Sequence, residues 1–205
     1  GPGFVRWHTC GLCEQRYQGL VACALGWACW KTYVSWPAET DVIRGYAMGL
    51  LGSGLSAGRY HEDALSVKEA ELSMKQRLGL SEGSILIAQG NLAYTCRRSG
   101  RHERALQIER DVHAGCLRLY GEEDEHTLIA AGNYANSLLD LERFEEAKAL
   151  LRRTIPVARR VLGDSHRSTL VNRCSYAESL FNDDDATLDD LREAVTTLED
   201  AGRIA

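Results

Sequence analysis

The chain has 205 residues, of which 44% are hydrophobic and 26% charged, and carries a net charge of −5. This is an ordinary globular composition, and its acid excess argues against a nucleic-acid partner, which needs a dominant basic surface to displace phosphate counterions. The apolar stretch from Leu20 to Val34 spans fifteen residues and contains Lys31, short of the roughly 20 apolar residues of a bilayer span. No membrane segment is expected. An odd count of seven cysteines without a secretory signal points to a reducing, cytoplasmic setting.

Residues 1–6 read as disordered or as a tag remnant, Gly1-Pro2 being a plausible processing scar. Residues 7–38 read as a divergent, cysteine-rich first hairpin, with a short helix before Gln18-Gly19 and a strongly apolar one after it. Trp36-Pro37-Ala38-Glu39-Thr40 closes that hairpin, with Pro37 as the breaker. From residue 39 the chain repeats. Leu78-Gly79 returns 42 residues later as Tyr120-Gly121 and again as Leu162-Gly163. Gly58-Arg59-Tyr60 and Ala64-Leu65 return as Gly100-Arg101-His102 and Ala105-Leu106, then as Glu142-Arg143-Phe144 and Ala147. Asn91-Leu92-Ala93 returns as Asn133-Tyr134-Ala135 and more loosely as Ser175-Tyr176-Ala177. The spacing predicts four repeats, at 39–80, 81–122, 123–164 and 165–205.

Each repeat reads as two helices. In the 81–122 repeat, Ile85, Leu86, Leu92, Ala93 and Cys96 keep helical spacing, and Gly100 supplies a left-handed C-cap. Ala105, Leu106, Ile108, Val112 and Leu119 trace the second helix. Polar residues that cap helix N-termini stand in the turns, as in Gly163-Asp164-Ser165-His166. No stretch alternates with a period of two, so the fold is expected to be all-α. Stacked units of this kind bury their apolar faces only against neighbours and offer a long concave surface. With the N-terminal hairpin, ten helices in five antiparallel hairpins are expected.

The pattern Asn-Leu-Ala (Asn91 to Ala93), then Gly100-Arg101 and Ala105-Leu106, resembles the tetratricopeptide repeat. The 42-residue period and the turn from Leu162 to Leu170 are similar to the longer repeat of kinesin light chains, with Arg167 where a proline is usual. The resemblance implies a right-handed superhelical solenoid and a non-catalytic protein-interaction scaffold. It does not extend to transport, since the heptad coiled coil that joins a kinesin light chain to its motor is absent from this sequence. No polar capping helix follows Ile204-Ala205, which leaves self-association through the last repeat open.

In the resembled family the first helix of each hairpin lines the groove. That places Asn91, Tyr94, Arg97 and Arg98 in it from one repeat, and Asn133, Asn136, Leu139 and Asp140 from the next. Glu178 and Phe181 follow from the last. Asparagine amides both donate and accept hydrogen bonds, so Asn91, Asn133 and Asn136 suit the backbone of an extended peptide; the competing reading is that they brace neighbouring helices. The lysine clamp of chaperone-binding members is missing, its slots holding Met48, Gly52 and Ile129.

No cofactor and no catalytic residue is expected. The histidines fall in turns and helix starts, and no glycine-rich loop follows a strand. One alternative uses Cys10, Cys13, Cys23 and Cys29 as a zinc site in a ubiquitin-ligase-like adaptor. Geometry opposes it: on a continuous helix Cys23 and Cys29 would lie about 240° apart around the axis and roughly 9 Å along it. A tetrahedral site needs all four sulfurs on one ion. Cys96, Cys116 and Cys174 read as structural thiols within helices.

Overall fold

The computed structural model describes residues 2–36, 41–183 and 185–204. Nine α-helices follow one another among the described residues. They are α1 (Gly19–Tyr33), α2 (Asp41–Ala57), α3 (His61–Arg77), α4 (Glu82–Arg98), α5 (His102–Tyr120), α6 (Glu125–Leu139), α7 (Phe144–Leu162), α8 (Arg167–Phe181) and α9 (Leu188–Ile204). A 3-10 helix, Pro2–Trp7, precedes them. The fold is all-α, and the one β pairing among the described residues is an isolated antiparallel bridge between Thr9 and Arg16. None of these helices is long and apolar enough to cross a membrane.

The chain divides into two compact units, residues 1–100 and 101–205. In the first, α1 packs on α2, α2 on α3, and α3 on α4. In the second, α5 to α9 each pack on the next, and α6 also lies against α8.

Small residues set the helix spacing in both units. Ala64, Ala93, Ala105, Ala135, Ala147 and Ala177, the alanines that recur with the period, are each 0% exposed. Ala135 and Ala177 share a core with Leu151, Tyr176, Leu180 and Ala194. Cys23, Leu51, Leu55 and Ala64 form a core in the first unit. The tightest approach is between α1 and α2: a Cβ on Gly54 would stand 2.5 Å from the Ala22 carbonyl oxygen. Any side chain at residue 54 would push the two backbones apart.

The turns follow the period with one slip. Gly79, Gly121 and Gly163 take positive φ after α3, α5 and α7, and Gly100 does so between α4 and α5. Glu142 fills the Gly100 slot at φ 58°. In the preceding hairpin, however, Arg59 and not Gly58 takes the left-handed conformation, at φ 67°. Arg59 therefore corresponds to Gly100. Gly58 is fixed by space: a Cβ there would come 3.0 Å from the Tyr60 ring and 3.2 Å from Cys23. Caps satisfy the orphan amides of α4, α6 and α8 through Ser81, Asp124 and His166, whose side chains accept from the amides of Ser84, His126 and Ser168.

The N-terminal expectations need correction. No α-helix precedes Gln18-Gly19. Residues 8–17 form a bridged loop in which the Tyr17 amide donates to the His8 carbonyl at 3.0 Å and the Cys10 amide to the Gln15 carbonyl at 2.9 Å. Glu14 and Gly19 both take positive φ, which interrupts any helix there. Where disorder is expected, Pro2–Trp7 form a 3-10 helix, and the Phe4 ring packs 5.1 Å from Tyr33 and 5.8 Å from Tyr46. The ten expected helices thus become nine among the described residues. The proposed breaker Pro37 lies outside the described residues. The last helix leaves Leu188, Leu191 and Val195 exposed.

Replacing Ala135 by Leu inserts a branched side chain into a fully enclosed contact and should cost roughly 1–3 kcal/mol. Chemical denaturation of the two proteins checks this; an unchanged midpoint contradicts the packing described.

Candidate functional site

In the first unit, α4 turns Ile87, Asn91, Tyr94 and Arg98 outward. These positions follow i, i+4, i+7, i+11, which at about 100° per residue keeps them on one helix face. Arg97 lies beside this row, half-buried and partnered. In the second unit the same register gives Ile129, Asn133, Asn136 and Asp140 on α6 and its C-cap, and Val171 and Glu178 on α8, with Ser175 between them buried. Ile87, Ile129 and Val171 are exposed apolar residues at equivalent positions. They were not singled out as ligand contacts from sequence, although each stands four residues before Asn91, Asn133 or Ser175.

The expected groove residues of the second unit separate into free and engaged groups. Asn133 is half-exposed and lines a cavity of about 220 Å³ with Ile129, Arg167, Ser168 and Val171. Glu178 and Phe181 are exposed. Asn136 accepts a 2.7 Å hydrogen bond from the Ser175 hydroxyl and so ties α6 to α8. Asp140 approaches the His102 ring at 3.4 Å. Leu139 is a correction: it is 8% exposed and belongs to the core with Leu138 and Ala147. Position 139 falls one helical step off the outward row, on the side covered by α7. One feature of this cavity was not legible. Asn172, 2% exposed, sets its Oδ1 into the space that Gly132 leaves open, while its Nδ2 has no hydrogen-bond partner.

The first unit holds a buried charge network. Lys68, Glu71 and Lys75 all project from α3 and are nearly fully buried. The Lys68 ammonium donates to the Gly49 carbonyl at 2.8 Å and to the Ser53 hydroxyl at 3.2 Å, and meets Glu71 at 3.3 Å. Lys75 closes the network on Glu71 at 3.0 Å. Space for it comes from α2, where a Cβ on Gly49 would lie 2.9 Å from Glu71 and one on Gly52 2.9 Å from Lys68. Burial pushes the Lys68 ammonium below the usual lysine range, against the pull of the Glu71 carboxylate. Lys68 forms one wall of a cavity of about 590 Å³ that Ser53, Arg59, Asn91, Tyr94 and Arg98 also line. Gln18 and Gly19, at the start of α1, complete it on one side.

The four N-terminal cysteines do not converge. Cys23 packs with Leu51 and Leu55, Cys29 with Tyr33 and Ala47, and Cys10 and Cys13 sit in the bridged loop. Among the described residues no cluster of three or more His, Cys, Asp or Glu side chains could hold a metal ion. The zinc arrangement expected of Cys10, Cys13, Cys23 and Cys29 is not assembled among the described residues, because α1 is continuous through Gly26 and turns its two cysteines to different neighbours. Their acidities also diverge. Hydrogen bonds from the amides of Cys13 and Leu12, then from the Cys13 side chain, bring the Cys10 thiol down to about 7. Burial pushes the Cys29 thiol up to about 11.

Residues 84–160 match the family model of the tetratricopeptide repeat. The chain has a tetratricopeptide-repeat fold. The solved structures agree across most of its length. Nearly identical TPR-like repeats from Podosopora anserina, ascribed to a kinesin light chain, superpose with a TM-score of 0.68 at 18% identity, covering 89% of this chain and 84% of that one. BtubC (BKLC) from P. vanneervenii gives 0.72 at 17% identity, covering 89% and 72%. Among curated proteins, none matches the sequence. The tetratricopeptide match begins in α4 and ends in α7, so the flanking helices are placed in the fold by their structure.

Two expectations follow. Glu71→Ala strands two buried ammonium groups and should cost about 3–5 kcal/mol; a denaturation midpoint equal to wild type counts against the network. Alkylation by iodoacetamide, followed by peptide mass analysis, should show Cys10 reacting with a midpoint near pH 7 while Cys29 stays protected in the folded protein. A Cys10 profile centred at the ordinary cysteine value of about 8.5 contradicts the hydrogen-bonded loop.

Proposed function

We propose that this tetratricopeptide-repeat protein is a non-catalytic scaffold that holds an extended segment of a partner protein on the outward face of α6 and α8. The α4 face of the first unit offers a second contact surface of the same design. The observation that carries this reading is the row in which an exposed apolar residue precedes a polar one by a helical turn: Ile129 and Asn133 on α6, Ile87 and Asn91 on α4. Apolar contacts anchor side chains of the ligand, while amides that donate and accept satisfy its backbone. Asn133 suits that role because it opens on a cavity, whereas Asn136 is already spent on Ser175. The similar solved structures include kinesin-light-chain-type repeats, and repeats of this fold serve protein interaction. A cytoplasmic setting is part of the proposal, from the odd cysteine count.

The test starts from a peptide selected on the purified chain from a displayed library. Asn133→Ala should weaken a peptide held on α6 and α8, and Asn91→Ala one held on α4, by about 0.5–1.5 kcal/mol each, leaving the melting temperature nearly unchanged. Calorimetry on the single and double variants reads both quantities. Full affinity in the double variant, or its unfolding, returns these asparagines to a bracing role.

A further inference from the structure

The cavity beside Lys68 runs against the acidity of the chain. Its lining includes Arg59, Lys68 and Arg98 and no carboxylate, in a protein whose net charge is −5. Lys68 is anchored, 2% exposed, with its ammonium held by the Gly49 carbonyl, the Ser53 hydroxyl and the Glu71 carboxylate. The two guanidinium groups differ from it. Arg59 enters from the left-handed turn after α2 and Arg98 from the last turn of α4, both are exposed, and neither side chain has a hydrogen bond or ion pair among the described residues. Asn91 and Tyr94 add neutral donors on the α4 side.

We propose that this cavity binds the phosphoryl group of a phosphorylated side chain on a partner protein, with Arg59 and Arg98 on the phosphate oxygens and Lys68 behind them. Guanidinium forks match phosphate oxygens two at a time. A phosphoryl group brings a charge of about −1.5 to −2 and three acceptor oxygens at pH 7. A carboxylate brings a single charge, and would leave one of the two exposed guanidinium groups unanswered in a cavity of about 590 Å³. Gly52 is what admits the lysine, since a Cβ there would meet the Lys68 chain at 2.9 Å. The Lys68 side chain thus reaches the cavity wall from α3, beside Ser53 and Ser56 of α2. The site lies wholly in the first unit and does not depend on a peptide occupying α6 and α8.

The full chain, labelled with nitrogen-15, is titrated with three probes while the amide signals of residues 91–98 are followed. The probes are inorganic phosphate, a blocked alanine-phosphoserine-alanine peptide, and the same peptide with glutamate in place of phosphoserine. Saturable shifts are expected with the phosphopeptide, weakened about tenfold or more for the glutamate peptide, and inorganic phosphate should compete. Arg59→Gln and Arg98→Gln should each weaken the phosphopeptide by about fivefold or more without lowering the melting temperature, as both side chains are exposed. These two variants decide the matter even if Lys68→Met fails to fold. No saturable shift with the phosphopeptide overturns the proposal. So does equal binding of the glutamate peptide, which makes the cavity a carboxylate site, and so does binding unchanged in the double arginine variant. Binding of inorganic phosphate without the phosphopeptide marks a site for a free anion only and also overturns it.

Discussion

How closely two helices can approach decides most of what this molecule is. Where alanine stands at a crossing, and more so where glycine does, neighbouring backbones come near enough for short turns to join them. Gly54 against the Ala22 carbonyl is the extreme case, and the six fully enclosed alanines are the repeated one. Interiors packed to this density do not absorb an extra methylene without strain. Helix spacing is therefore written into a few small residues, and the large apolar side chains fill the space that those residues define.

The same device shapes the surfaces available to ligands. Missing side chains on α2 let Lys68 and Glu71 pass under Gly49 and Gly52, so charge from α3 emerges on the side of α4. Gly132 on α6 accepts the Asn172 amide in the same way. A buried ion network seldom adds stability over an apolar filling of the same volume. Its presence in the first unit is better understood through the cavity it borders than through the core it interrupts.

Much of this was legible. The 42-residue period located the glycines at 79, 121 and 163, and the recurring alanines fell at the enclosed positions. The residues that escaped did so for physical reasons. Gly58 looked like the partner of Gly100, but a sequence match cannot show which residue of Gly58-Arg59 turns left-handed when Tyr60 and Cys23 crowd the first. Leu139 was assigned to the groove by its place in the repeat, although one residue of helix rotation carries it into the core. Residues 8–17 carry turn chemistry and no helical stripe, and borrowing the period from later repeats concealed that. The Lys68 network left a readable trace, charged residues at i, i+3 and i+7 on α3 opposite a glycine-rich α2, which only hairpin geometry brings together.

The central claim, proposed above, is that the outward face of α6 and α8 is the ligand surface, set in place by the small residues behind it. Hydrogen exchange of the whole chain, with and without a bound partner segment, addresses it in a single measurement. The account expects added protection to concentrate on α6 and α8 around Asn133 and Glu178, with α5, α7 and α9 unchanged. Protection confined to α5, α7 or α9, with none on α6 or α8, contradicts it.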